Sequence, residues 1–365
     1  MKKRSQRWIL GCLLIGWGSL LFTGCTKESD SDNQVIHEDT TSHDSIVIPG
    51  GWKEVGKLKA NNMIWGITSD KDGNLYAAGY FTNTAGYHYV ARWDGATWSE
   101  TGSFAANSSI FALTADAAGN VYAVGDFTNG ATPEGGSQYV AKWDGSQWSD
   151  IGGGGGTMLT ADSVGNLYKG PRKWDGFNWS DICPVGTLNL STVYAVTSSA
   201  DGTIQYAGGD FQLPSGYRYI AKCEGNNCWS ELGSLNANAD IEAVVSGTDG
   251  TVYAAGCFTN GNLASTGYHY VAKWDGTVWT ELGSLNANGI IYNLAIDRHT
   301  GKLYASGNFS NSQGQYYVAE WDGSSWKDLG DMHLSPTPIY VDQAGKLYSV
   351  VAGTDGKSFA VVVHE

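Results

Sequence analysis

One phrase returns along most of this chain and limits what it can fold into. Trp-Asp-Gly begins at Trp93, Trp143, Trp174, Trp274 and Trp321, with a degenerate copy at Cys223-Glu224-Gly225. A second tryptophan follows each copy, at Trp98, Trp148, Trp179, Trp229, Trp279 and Trp326. Successive copies lie 47 to 51 residues apart, except for one interval of 31. Runs such as "IFALTAD" and "GNVYAVGDFTN" fill the space between them. A period of this size marks one supersecondary unit stacked on copies of itself.

Each unit holds four short β-like segments. In the second they are "SSIFALTAD", "GNVYAVGDF", "SQYVAKWDG" and "QWSDIG", separated by Gly-Asn and Asp-Gly turns. Asp144-Gly145 supplies the last turn, because glycine tolerates the positive φ of a tight hairpin. Strand alternation puts Trp143 and Trp148 on one face, where they can pack on the neighbouring unit. Four strands in about 40 to 50 residues is the size of a propeller blade. Glycine (50 residues) and aromatic content (12%) suit such a turn-rich, all-β chain.

The expected fold over residues 51–365 is a seven-bladed β-propeller of four-stranded blades. Third strands end near residues 95, 145, 176, 225, 276 and 323, and a terminal copy runs from Phe359 to Val363. The chain opens on a lone fourth-strand sequence, "WKEVG" at Trp52–Gly56, and stops on a third strand. The N-terminal strand is therefore expected to complete the last blade and close the ring. Blade three lacks the extension after "GNLY" and is shortened. The phrases "LYAAGYFTN" and "YVARWDGATWSE" resemble kelch-like propellers, the class of the galactose oxidase central domain. They are also similar to the repeats of fungal cortical polarity markers. The resemblance spans about residues 51–365 and implies fold rather than activity, since propellers host many functions.

Residues 1–24 read as an export signal. Lys2, Lys3, Arg4 and Arg7 precede an apolar run from Trp8 to Phe22 that is short for a spanning helix. Leu21-Phe22-Thr23-Gly24-Cys25 resembles a lipobox, which implies cleavage and lipidation at Cys25. A plain signal peptide or an uncleaved anchor is the alternative. Residues 25–50 read as a flexible acidic tether. The acidic cluster after Cys25 resembles surface-export signals of Bacteroidota lipoproteins, and Asp39-Thr40-Thr41 and Asp44-Ser45-Ile46 resemble that phylum's O-glycosylation sequons. The expectation is an exported monomer, lipid-anchored in the envelope at the outer membrane, with the sequence leaving open which side of that membrane it occupies. Net charge is −14, and removing four basic residues with the signal gives −14 − 4 = −18. That balance argues against nucleic acid as a partner.

The chemistry-bearing residues are few. Cys223 and Cys228 flank one hairpin turn and are favoured as a disulfide in an oxidising compartment, whereas pairing of Cys183 with Cys257 is doubtful. Cysteine spacing fits no zinc pattern. His88 and His269 occupy equivalent repeat positions, so no copper or other redox-metal set assembles, and no cofactor is expected. Asp70-x-Asp72-Gly73-Asn74 resembles part of a calcium loop, but "DAAGN", "DSVGN" and "DQAGK" favour a backbone-capping turn. Gly152–Gly156 has phosphate-loop spacing with no helix after it, so it reads as a flexible loop compensating for the short blade.

Asp126, Asp210 and Glu242 stand where other copies carry different residues, which makes them candidates for acid/base work. The loops after each second strand carry Phe-Thr/Ser-Asn and end on tyrosine in three copies. Asn83, Tyr87, Asn129, Asp126, Tyr217, Asn260, Tyr268 and Asn311 are the candidate ligand contacts, with Asn107, Asn236, Asn238, Asn286 and Asn288 on the connections. Such a face suits neutral polar ligands, glycans above all; turn formation alone also explains asparagine there. The sequence reads as a non-enzymatic binding module for a glycan or an envelope protein. A polysaccharide-acting hydrolase or lyase and a structural or adhesive surface protein are the rivals.

Overall fold

Each Trp-Asp-Gly phrase folds into the turn joining the two outer strands of a sheet. Asp144 Oδ1 accepts the backbone N–H groups of Ser146 and Gln147, both at 2.8 Å. Those N–H groups, Gln147's foremost, and the Ser146 hydroxyl hold its carboxyl down at about 2. Gly145 takes φ 95°, a region that favours glycine. The turn sets Trp143 directly opposite Trp148, and the same register pairs Trp93 with Trp98 and Trp274 with Trp279.

The computed structural model describes residues 46–162, 165–170, 172–181, 192–225, 229–262, 266–335 and 338–365. Chain contacts separate residues 1–40 from 41–365, and the first unit lies outside the described residues. The signal, Cys25, most of the tether, Cys183 and Cys228 also lie outside them, and with Cys228 the expected bridge to the buried Cys223. No helix occurs among the described residues.

The described chain is a seven-bladed β-propeller. Seven antiparallel sheets each have four strands, here called a to d. Blades one to six run in sequence order, their a strands being Ile64–Ser69, Ile110–Ala115, Thr160–Ala161, Val193–Ser198, Ile241–Ser246 and Ile291–Ile296. Blade seven takes strands a to c from Ile339–Val341, Leu347–Ala352 and Phe359–His364. Its d strand is Trp52–Glu54, paired Trp52 to His364 and Glu54 to Val362. Strand a of every blade touches strand a of the next, including the first and last, so these strands line the central channel.

Burial is greatest on the b strands, next to the channel-lining a strands, and falls toward the rim. Five b strands, Leu75–Gly79 and Val252–Gly256 among them, are buried at every residue. Sheets covered on both faces need apolar side chains on both, and Ala and Gly let neighbouring blades approach. The d strands are exposed except for their tryptophan, as in Trp98–Glu100.

The paired indoles join consecutive blades. Trp98 Nε1 donates to the Val55 carbonyl at 2.6 Å, Trp148 to Thr101 at 2.7 Å and Trp279 to Leu232 at 2.7 Å. Trp52 donates to Leu329 at 2.6 Å, so the same bond spans the closure. The other indole lies against the glycine ending the preceding d strand. A Cβ at Gly102 would sit 2.6 Å from the Trp143 ring.

The Asp-Gly-Asn turns are equally internal. The Asp70 carboxylate accepts the N–H groups of Asp72 and Asn74, the Asn74 amide and the Tyr76 hydroxyl. Asp116 and Asp162 bond in the same manner to Tyr122 and Tyr168. Burial and that carboxylate push the tyrosine hydroxyls well above their usual range. These aspartates cap turns, as the sister sequences indicate.

Blade three departs from the pattern. Its b strand stops at Lys169, and only two residues precede Arg172 on strand c. Two glycines of the run before it, Gly153 and Gly155, are closely packed, while Gly152 and Gly154 face open space. A Cβ on Gly153 would fall 2.6 Å from the Trp179 ring, and one on Gly155 would fall 2.5 Å from the Gly125 carbonyl. At those two positions glycine is required by close approach, which the expectation of a flexible loop did not include.

Candidate functional site at the mouth of the channel

Strands a and b are antiparallel, so each a strand begins on the face where its b strand ends. The b–c loops and d–a connections meet on that face. His88 pairs with Thr82 across its loop and with Ala106 of the next connection, and His269 bridges Thr259 and Ala287 likewise.

Most of the candidate asparagines on this face hold its loops. Asn107 donates to Thr128 Oγ1 and to the Gly130 carbonyl at 3.0 Å each, and accepts the Thr128 N–H at 2.9 Å. Asn238 and Asn288 do the same for Thr259 and Ser310. Asn83, Asn129, Asn260 and Asn311 accept N–H groups of their own loops. Their amides donate to Glu100, Asp150, Glu281 and Asp328 on the d strands. Asn236 and Asn286 adopt positive φ in the connections. Tyr87, Tyr217 and Tyr268 stand out on the rim with 46%, 42% and 51% of their surface exposed, and Tyr316 joins them.

The side chains that vary between copies cluster closer to the channel. Five a strands carry a one-residue register slip at the same place, next to Ile64, Ile110, Val193, Ile241 and Ile291. The extra residues are Trp65, Phe111, Tyr194, Glu242 and Tyr292. A bulge of this kind re-aims a side chain out of the sheet's alternation. Beside them, at the end of each b strand, stand Tyr80, Asp126, Asp210, Cys257 and Asn308.

These residues make two unlike sectors. In blades one and two, the rings of Trp65 and Tyr80 meet edge to face at 5.9 Å, and those of Tyr80 and Phe111 at 6.0 Å. The half-buried Trp65 indole N–H has no partner among the described residues. In blades four and five the site is charged. Arg218 Nη2 lies 2.7 Å from Asp210 Oδ1 and 2.8 Å from Asp240 Oδ1, holding both carboxylates on one nitrogen. Cys257 Sγ donates to Glu242 Oε1 at 3.5 Å.

Two carboxylates thus share one guanidinium, with Glu242 close by. Burial raises the Asp240 carboxyl against the pull of Arg218, and Asp210 raises it further. Burial likewise raises Glu242, Asp240 adding to it. Tyr194 is pushed up to about 12, by burial first and then by Asp240, Glu242 and Asp210. The structure therefore brings together two of the three candidate carboxylates, Asp210 and Glu242. Asp126 lies in blade two, where Gln138 Nε2 donates to it at 3.2 Å.

Arg218, Asp240, Tyr194 and the bulged aromatics were not singled out from the sequence, and Cys257 was noted only as a doubtful disulfide partner. Aligning the copies and marking the positions that change would have found them. A cavity of about 330 Å³ lies elsewhere, on the outer strands of blade five between Leu235, Tyr270, Trp279 and Glu281. Its walls are repeat residues. In blade two Phe104 takes the place of Leu235 and stacks on the equivalent Trp148 at 4.4 Å.

No protein-family model matches the chain, and no curated protein matches it in sequence. Solved structures do resemble it. Virginiamycin B lyase from Staphylococcus aureus, solved as an inactive variant with quinupristin, superposes with a TM-score of 0.56 at 11% identity, covering 85% of this chain and 98% of that one. The WD40 β-propeller domain of Doa1 gives 0.58 at 9% identity, covering 87% and 98%. The hydrazine synthase of Kuenenia stuttgartiensis gives 0.57 at 15% identity, covering 85% and 97%. At these identities the likeness concerns the fold.

Proposed function

We propose that this propeller is a non-enzymatic binding module that takes a carbohydrate at the mouth of its channel, and that a lipid on Cys25 tethers it to the cell envelope. The observation carrying this reading is the shared bulge, which turns Trp65, Phe111, Tyr194 and Tyr292 out of the repeat pattern. Pyranose rings present C–H faces that stack on such aromatics. Their hydroxyls donate to carboxylates like those of Asp210, Asp240 and Glu242. The rim tyrosines Tyr87, Tyr217, Tyr268 and Tyr316 extend the aromatic surface outward. A glycan array probed with residues 46–365 tests the reading. Binding should fall at least tenfold in Trp65→Ala and much less in Asn107→Ala, whose side chain is engaged in a loop clip. Equal losses in the two, or binding untouched by Trp65→Ala, would refute it.

A second reading rests on the raised carboxyls. A carboxyl whose pKa is raised by burial, close to a second carboxylate, is the kind of pair that general acid–base cleavage of a glycosidic bond uses. Virginiamycin B lyase shows that a related scaffold hosts an enzyme. Cleavage of an array hit that disappears in Glu242→Gln would favour this alternative; intact glycan after prolonged incubation favours the binding module.

A further inference from the structure

In five blades the b and c strands face each other through a pair of buried alanines: Ala77 with Ala91, Ala123 with Ala141, Ala207 with Ala221, Ala254 with Ala272 and Ala305 with Ala319. All ten are completely buried. In blade three the same position pairs Lys169 with Arg172. Like charges directly opposite on one sheet face repel, their Cβ atoms being only about 5 Å apart. A fold that places alanine there five times has no packing need for two cations.

Arg172 has partial compensation, with Asp181 Oδ1 3.7 Å from its Nε and the Trp179 ring 5.8 Å from its guanidinium carbon. No carboxylate of the described residues pairs with Lys169, and the segment 182–191 contains no acidic residue. Lys169 is nevertheless half-buried. Burial, then Arg172, lowers its ammonium pKa. Above it the Gly-x-Phe strand end and the b–c loop of other blades are missing. The glycine run takes that place, and the Cβ position of Gly156 is 3.2 Å from Lys169 Cε and 3.7 Å from Nζ. Asp126, reached through Gln138 beside Gly155, is bonded to Gln138.

We propose that the notch of blade three is an oxyanion subsite, in which Lys169 and Arg172 together hold a carboxylate or sulfate group. A planar guanidinium and an ammonium side by side suit the two oxygens of such a group. In ring order the notch lies between the aromatic and the charged sectors. The subsite rests on the carbohydrate reading only for the molecule that bears the oxyanion, which would make the ligand an acidic sugar; the ion pairing stands by itself.

Sodium glucuronate, glucose and sodium chloride at matched ionic strength are the probes. The readout is the Lys169 Cε–Hε NMR resonance in lysine-labelled protein, identified by its loss in Lys169→Met. Glucuronate should shift it saturably, while glucose should not and chloride only linearly. The amide resonances of Gly154–Gly156 report binding in the variants. Affinity should fall at least tenfold in Lys169→Met and stay within about threefold in Lys169→Arg, which preserves the charge. Identical responses to glucuronate and chloride, or unchanged affinity in Lys169→Met, would overturn the proposal. A saturable response to glucuronate with no array ligand would sustain the subsite and sink the carbohydrate reading. Array binding to neutral glycans with no glucuronate response would do the reverse.

Discussion

Gly102 and Gly145 both have positive φ, at 60° and 95°, yet alanine should cost very different amounts at the two sites. At Gly145 an added Cβ meets nothing within 4 Å, so the penalty is the backbone conformation alone, about 1–2 kcal/mol. At Gly102 the Cβ would fall 2.6 Å from Cζ3 and 3.1 Å from Cη2 of Trp143, a ring 92% buried and held from behind by its own blade. An indole cannot bend aside as the end of a lysine can. Overpacking of this kind adds about 1–3 kcal/mol, giving about 2–5 kcal/mol in total. Urea unfolding followed by circular dichroism measures both variants. A double variant, Gly102→Ala with Trp143→Leu, separates the terms, because removing the ring should recover the overpacking part and leave the backbone part. If Gly102→Ala and Gly145→Ala cost the same, or if Trp143→Leu relieves nothing, the indole does not seat against the preceding blade as argued.

Glu242→Gln should stabilise the protein at neutral pH. A carboxyl whose folded pKa is raised binds its proton more tightly in the folded state, so its contribution is greatest below the unfolded value and is lost as pH rises through the raised one. Thermal unfolding should show the variant ahead at pH 7 and level with the parent below an unfolded value of about 4.3; an advantage that persists in acid would contradict the assignment. Asn238→Ala removes the clip between a connection and the loop starting at Thr259. It should cost about 1–3 kcal/mol in unfolding and speed proteolysis near residue 260, with glycan binding retained.

The fold was legible because its requirements recur. A hairpin turn needs glycine after aspartate wherever it occurs, and each interface needs the same two indoles, so one physical demand is written out five or six times. The closing strand was legible for the same reason, since Trp52-Lys53-Glu54-Val55-Gly56 carries a d-strand pattern with no blade before it. The repeat also explains why the asparagines looked like a site. A residue that returns in every loop is first of all meeting a demand that returns in every loop, and Asn83, Asn129, Asn260 and Asn311 are occupied in closing their own turns.

What the sequence concealed lies where no copy predicts another. Asp210 and Glu242 stood out as exceptions, but nothing along the chain says that Arg218, eight residues after Asp210, reaches across a blade boundary to Asp240. The bulges were hidden too, because an inserted residue in an apolar run leaves no gap in composition and is seen only in the pairing register. Lys169 is the sharpest case. It reads as an ordinary basic residue next to a turn until the strands are paired and five of the other six copies prove to be alanine, the sixth being Ser349. A half-buried charge where the scaffold otherwise places a small uncharged side chain raises the cost of folding there; Asp181 and the Trp179 ring compensate Arg172 in part, and the proposed oxyanion would offset the remainder at Lys169.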